Sequence, residues 1–327
     1  MLYNWVKKIS GNRFAVNWFS WLLICLWLII GCSAVTGTVK DTTKTVTKTT
    51  RKIVREVTFA GDGLKKTIGV VEFENKALQA SPEFKKLFHN DLIAHFNDNC
   101  ADIIVVGEDL PENPGHLTSL PKLANGETDN YALAIIGRQL GLNFIVAGSL
   151  NNIRPRDEER GILWTKDTHF LIEVLIMAQV YDTQTATKIL DESFLHEVEI
   201  DELDYRLIEK DKADTIPQLN EAFAQILVEM GDRICEVVSE QLWSGQVTAV
   251  AGEKISISGG SRIGLETGDV LEVFDSGRIL EGIDGQKFFA PGLKTAEIRI
   301  TAVADSSADA VKVSGRGLKA GSIVRKK

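Results

Sequence analysis

The rhythm of apolar and polar positions changes four times along the chain. From Phe14 to Ile30 nearly every residue is apolar, and the run stops at Gly31-Cys32. From Thr36 to Thr50 eight of the fifteen residues are threonine, interleaved with Lys40, Lys44 and Lys48. From Lys66 onward the apolar positions fall into short runs and into repeats of three and four, the grammar of a folded α/β domain. After Trp243 only short apolar runs remain, punctuated by glycine.

The first pattern has a positive start (Lys7, Lys8, Arg13, no acid before residue 17), an apolar stretch and a small residue at its end. That order predicts a secretory signal. The competing reading is a membrane span, because an apolar run of this length reaches the lower limit for one. Ile29-Ile30-Gly31-Cys32 resembles the lipobox of bacterial lipoproteins. The resemblance implies cleavage after Gly31, acylation of the Cys32 thiol and, with Ser33 following, sorting to the outer membrane. Residues 1–31 are then the signal peptide and residues 32–66 a Thr/Lys-rich tether. A flexible coil of the 34 residues that follow Cys32 has an r.m.s. span of roughly 30 Å, enough to lift a domain off a bilayer. Val39, Val46 and Ile53 repeat every seven residues, so an amphipathic helix stays open for this segment. Its basic residues suit anionic headgroups or peptidoglycan side chains.

Within residues 67–244, "TIGVVEFEN" (67–75) and "DIIVVG" (102–107) read as buried strands. Residues 81–99 read as a helix, with Ser81 as N-cap, Pro82 in the first helical position, and Phe84, Leu87, Phe88, Leu92 and Phe96 on one face. A helix at 130–141 precedes a strand at 143–153. The charged stretch "RPRDEERG" (154–161) reads as a hairpin tip, and 169–200 as two long strands joined by a turn at Asp182-Thr183-Gln184-Thr185. A long helix from Ile216 to Leu242 presents Leu219, Phe223, Ile226, Leu227, Met230, Ile234 and Val238 on one side. Residues 245–327 hold six short strands and no helix, which predicts a small barrel. Gly260, Gly264 and Gly268 bracket turns expected to need positive φ. The predicted fold is a three-layer α/β (α+β) domain with a mixed sheet, followed by a small all-β SH3-like barrel. Each part has its own apolar set, so a fragment starting at Gly245 is expected to fold alone.

Composition narrows the function classes. Without the three basic residues of the signal, 34 basic residues face 45 acidic ones. An acidic body lacks the basic footprint of a nucleic-acid binder. Cys25 leaves with the signal and Cys32 is the acylation site, so Cys100 and Cys235 remain. In an exported protein they form either a bridge or two buried free thiols.

Two family resemblances cover residues 66–327. The first strand ending Phe73-Glu74-Asn75, the unit "ALAIIGRQLGLNFIVAGSL" ending Gly148-Ser149, and the strand ending Val180-Tyr181-Asp182 resemble the α/β fold of the TolB amino-terminal domain, CsgG and the LpoB activators. Gly245-Gln246-Val247, Gly260-Ser261, Gly264, Gly268-Asp269-Val270, "AEIRITAV" and Gly321-Ser322-Ile323-Val324 resemble the carboxy-terminal domain of FlgT. Together they imply an outer-membrane lipoprotein, facing the periplasm, that serves as an assembly or scaffolding component of an envelope machine, flagellar-ring-like in the first instance. The alternatives are a CsgG-type secretion lipoprotein and an LpoB-like activator of a peptidoglycan synthase. A channel needs transmembrane hairpins of alternating apolar and polar residues, whereas the stretch at 154–168 packs six charges into its first seven positions.

No G-x-S-x-G, H-E-x-x-H or phosphate-loop spacing occurs; in "GDGLKKT" (61–67) Lys65 stands where a second glycine belongs. His89 and His95 are read as lying on a solvated helix face, and Asn75 as capping the loop after the first strand. The sequence therefore points to no catalytic, cofactor-binding or metal-ligating residues, to no enzyme, and to no small-molecule substrate. The expected partners are the membrane, through Cys32, and an envelope complex or further copies of the chain.

Overall fold

The computed structural model describes residues 63–77, 82–106, 119–162, 164, 166–210 and 216–327. The signal, Gly31, Cys32, nearly all of the tether and Ser81 lie outside them. All described residues belong to one compact unit, Ala60–Lys327.

A mixed sheet forms the first part. β1 (Lys66–Val70) runs parallel to β3 (Ile103–Val105) on one side and to β4 (Phe144–Arg160) on the other. β4 continues antiparallel into β5 (Asp167–Asp182) and β6 (Thr187–Ile200), and the short β2 (Glu74–Asn75) adds parallel to β4. Helices α1 (Pro82–Asn99), α2 (Asn130–Gln139), α3 (Glu202–Ile208) and α4 (Pro217–Ser239) pack on it. Strand alternation sorts the two faces. Ile172, Val174, Ile176, Ala178 and Val180 of β5 are fully buried in one core with Phe88, Leu92 and Phe96 of α1 and with Ile226, Met230, Ile234 and Val238 of α4. Ile145, Ala147 and Tyr181 point the other way and pack with Leu133 of α2. Glu173, Leu175, Met177 and Gln179 share that second face and are only half-buried.

The close approach of α4 to α1 depends on Gly231. A Cβ there would stand 2.4 Å from the His95 ring. His95 is consequently buried, contrary to the solvated position expected for it, with Nε2 3.3 Å from Asp232 Oδ1. The apolar repeat of α1 marks the face turned to the sheet, but α4 covers a second face that the repeat does not reveal. Cys100, just past α1, and Cys235 of α4 form a disulfide with Cα atoms 5.9 Å apart, closing a sequence separation of 135. In the chain-entropy picture a loop of that length corresponds to about 5 kcal/mol.

The stretch 154–160, expected to be a hairpin tip, is instead strand. Pairing of β4 with β5 runs on from Arg154 opposite Glu173 to Arg160 opposite Asp167, and the tip lies beyond it. Cross-strand charge pairs make this possible: Arg154 meets Glu173 at 2.9 Å, and Arg156 meets Glu197 at 2.8 Å. On the opposite face Phe170 packs against Tyr205 of α3, ring centroids 4.9 Å apart. The sequence pattern predicts no helix there, because α3 is only seven residues, about two turns, capped by Asp201.

The second part is a closed barrel in the order β12-β13-β8-β7-β14-β9, antiparallel at every pairing. Its strands are β7 (Gly245–Ala251), β8 (Lys254–Ser258), β9 (Val270–Phe274), β12 (Lys294–Val303), β13 (Ser307–Gly315) and β14 (Ile323–Lys326). A hairpin absent from the sequence reading, β10 (Ile279–Glu281) with β11 (Lys287–Phe289), leaves the barrel between β9 and β12. Gly264 and Gly268 have φ of +93° and +100°, as the turns require. Gly260 is extended (φ −149°) and serves a different need: a Cβ would lie 2.2 Å from Ala304 O.

Residues outside 245–327 complete the barrel core. Leu64 and Trp243, each 2 % exposed, sit among Val247, Ile257, Leu271, Val273 and Ile298. Lys65 N also donates to Ile263 O at 2.9 Å. Leu64→Ala should therefore lower stability by roughly 2–5 kcal/mol, read as a shift in the denaturation midpoint. A surface-like effect, within a few tenths of a kcal/mol, would show that the barrel core is complete without this segment.

Candidate functional site

The candidate surfaces lie at the two ends of the β4–β5–β6 meander. At the barrel end, the turn between β5 and β6 is held open from within. Asp182 Oδ1 accepts from Gln184 N and Oδ2 from Thr185 Oγ1, both at 2.7 Å. Thr183 is fully buried, and its hydroxyl donates to Leu142 O at 2.6 Å. These local bonds aim the backbone carbonyls of the turn outward.

Arg138, in the last turn of α2, reads those carbonyls. Its Nε donates to Thr183 O at 2.8 Å and a terminal N–H donates to Gln184 O. The same guanidinium lies 3.6 Å from the centroid of Phe289 in β11. Phe289 in turn packs on Tyr131 (4.9 Å) and donates its N–H to Thr185 O at 2.9 Å. Gln286, at the tip of the same hairpin, donates to Thr128 O at 2.8 Å and accepts from Asn130 N at 3.4 Å. Asn143 Nδ2 adds a bond to Ser244 O at 2.6 Å. The barrel hairpin thus clamps the α/β part through one stacked cation and a set of main-chain bonds.

Beside the clamp opens a polar cleft of about 290 Å³. Lys76, Lys122 and Lys188 line it together with Glu74, Glu127, Ser149 and Gln179. Glu74 faces Lys76 at 3.4 Å and Lys122 at 3.8 Å, and Lys188 pairs with Asp191 outside the cleft at 2.8 Å. Asn75 lies next to it and accepts from Ala77 N at 3.1 Å, a loop-capping bond. Such a cleft offers hydrogen bonds in both directions but no arranged nucleophile and base. Among the described residues no group of three His, Cys, Asp or Glu side chains has metal-holding geometry.

At the opposite end, Ile162 and Trp164 stand at the tip of the β4–β5 ribbon, 78 % and 92 % exposed. Neither they nor Arg138, Gln286 and Phe289 were picked out from the sequence. A Gly-containing turn in "ILEGIDGQKFF" (279–289) is the signal that would have disclosed the hairpin. Cys100 and Cys235, read as bridged or free, are brought together by the crossing of α1 and α4.

The clamp carries two expectations. Arg138→Lys should destabilise the chain by about 2–4 kcal/mol, because an ammonium neither forks between two carbonyls nor stacks on Phe289; chemical denaturation of the pair of proteins measures it. The second concerns pH. Burial pushes the Asp182 carboxyl above the usual carboxylate range, against the opposing hydrogen bonds from Thr185 and Gln184. A carboxyl with a raised folded pKa contributes stability that is present below about pH 4, its unfolded value, and lost as pH climbs through the folded value. Asp182→Asn should therefore gain thermal stability relative to the unmodified chain as pH rises from 4 to 7. A difference that stays flat over this interval would contradict the raised value.

No family model and no curated protein matches the sequence. Among solved structures, about half of the chain shows distant similarity to bacterial lipoproteins and related proteins. The hypothetical protein CT253 of Chlamydia trachomatis matches at 12% identity, covering 53% of this chain and 98% of its own, with a TM-score of 0.32. Lipoprotein GNA1162 of Neisseria meningitidis matches at 10% identity, covering 47% and 99%, with a TM-score of 0.25. The LpoB C-terminal domain of Salmonella enterica matches at 14% identity, covering 45% and 90%, with a TM-score of 0.26.

Proposed function

We propose that the chain is an outer-membrane lipoprotein, anchored through acylated Cys32, that acts on the periplasmic side as an assembly or scaffolding component of an envelope complex. The observation that carries the reading is the buried Cys100–Cys235 disulfide. Such bridges persist in oxidising compartments and are rare in the cytosol, so the bridge agrees with the export signal that ends at Gly31-Cys32. The scaffolding part rests on the clamp, which presents the α/β part and the barrel as one unit with a surface at each end. The FlgT-like glycine pattern of the barrel favours a ring-forming machine such as the flagellar one. A CsgG-type channel is disfavoured by the ribbon, where Arg154, Arg156, Glu158 and Arg160 occupy one face and Asp157 and Glu159 the other. A lipid-facing strand face would have to be apolar.

Intact-mass analysis of protein extracted from membranes tests the reading in one measurement. The expected species begins at residue 32, carries acyl chains there, and is two hydrogens lighter for the bridge. Cys32→Ser should leave uncut precursor. An unmodified residue 32, or free thiols at Cys100 and Cys235, would refute it.

A further inference from the structure

We propose that the tip of the β4–β5 ribbon is a second membrane contact, in which Ile162 and Trp164 enter the interfacial layer of a phospholipid bilayer. The proposal takes from the functional reading only that the protein resides at a membrane. Trp164 is 92 % exposed and Ile162 78 %, whereas Trp243 in the barrel core is 2 % exposed. A tryptophan presented to water on a narrow two-stranded tip leaves a large apolar surface uncovered. Tryptophan favours the layer where hydrocarbon meets headgroups, since its ring is apolar and its N–H seeks a polar partner.

The surroundings of the tip set how deep it can go. Immediately behind it lies a collar of charged side chains. Arg160 pairs with Glu158 and, at 3.7 Å, with Glu199; Lys166 pairs with Glu159 at 2.9 Å; His169 lies 2.7 Å from Glu199. Charged groups on both faces of the ribbon stop insertion at the headgroups, which leaves only the apolar tip to penetrate. The pairing also removes any excess of cations, so apolar burial and not attraction to anionic lipid drives the contact. This combination fits a bilayer surface better than a phosphate or an acidic protein partner.

Reach is sufficient. β4 spans Phe144–Arg160, about 55 Å at the usual rise of ~3.3 Å per residue. Phe144 pairs with Asp182 at the clamp, so the tip projects from the end of the sheet opposite the barrel. The chain from Cys32 to Gly63 extends to at most roughly 105 Å. The Cys32 end of that segment and the tip can therefore meet the same bilayer surface.

The test uses the full chain, purified from membranes and reconstituted into phosphatidylcholine vesicles with either ordinary or brominated acyl chains. The difference in fluorescence between the unmodified protein and Trp164→Phe isolates the Trp164 signal. Brominated chains should quench most of it. Replacing part of the phosphatidylcholine with phosphatidylglycerol, or adding salt, should change the quenching little. Ile162→Ser should weaken the quenching. A Trp164 signal untouched by bromine overturns the proposal in either of two ways. Shielding from iodide that grows with protein concentration would assign the tip to a second copy, and free access of iodide would leave it in water. If residue 32 proves unmodified, the lipoprotein reading fails separately. The apolar run Phe14–Ile30 would then still hold the chain at the bilayer, and Trp18, Trp21 and Trp27 cancel in the difference.

Discussion

Antiparallel pairing of β4 with β5 carries both ends of the molecule. It begins with Phe144 opposite Asp182 and ends with Arg160 opposite Asp167, interrupted by one bulge between Leu150 and Asn152. Because side chains alternate along a strand, a slip of one residue would exchange the buried face for the open one. Ile172 through Val180 would then leave the helices, and Glu173 would enter the core. The bulge inserts one residue without such an exchange: Leu150 and Ile153, on its two sides, are both fully buried. Register therefore fixes at once which carbonyls the turn after Asp182 offers to Arg138 and which charges pair in the ribbon.

The helical side of the sheet is closed by contacts of unlike kinds. The apolar ladder of α4 covers the β5 face, Gly231 admits the ring of His95, and the bridge between Cys100 and Cys235 ties α1 to α4. The apolar burial is local to the folded state, whereas the bridge acts mainly by restricting the unfolded chain. On the other side of the sheet α2 is the one helix among the described residues, and it lies near the barrel end. Leu175 and Met177 stay half-buried there, and Leu195 of β6 is 52 % exposed. Cover is thus concentrated where the barrel docks, and it thins out toward the ribbon.

Much of this architecture was legible in the residues, and the exceptions share a cause. The β5 alternation and the α4 repeat are strong because one face of each element is buried, so periodicity reports the burial directly. The β10–β11 hairpin gives no such signal: Ile279 and Leu280 are 54 % and 49 % exposed, and Phe289 and Gln286 make their contacts on another part of the chain. Charge in the ribbon reads as a mark of a turn, whereas Arg154, Arg156 and Arg160 each find an acidic partner on a neighbouring strand. Arg138 carries no signal in the sequence beyond being a basic residue in the last turn of a helix. Only the fold brings the turn carbonyls and the Phe289 ring to it. The same holds for the bridge, since residues separated by 135 positions meet only when two helices cross.

The clamp is the place where the relation between the α/β part and the barrel is set. A linker of ordinary loop residues between Ser239 and Gly245 would leave the barrel free to turn about it. Instead, Trp243 is buried in the barrel core and Asn143 bonds the carbonyl of Ser244. The returning hairpin then makes a second attachment, distant in sequence from the first, at Thr128, Asn130 and Thr185. Two attachments at separate points remove rotations that one alone would permit. Leu64 supplies a third, so the segment that leads back toward Cys32 enters the folded unit at the barrel. Force applied through that segment would reach the barrel core and the first strand of the sheet together, and neither part could shift without disturbing the other.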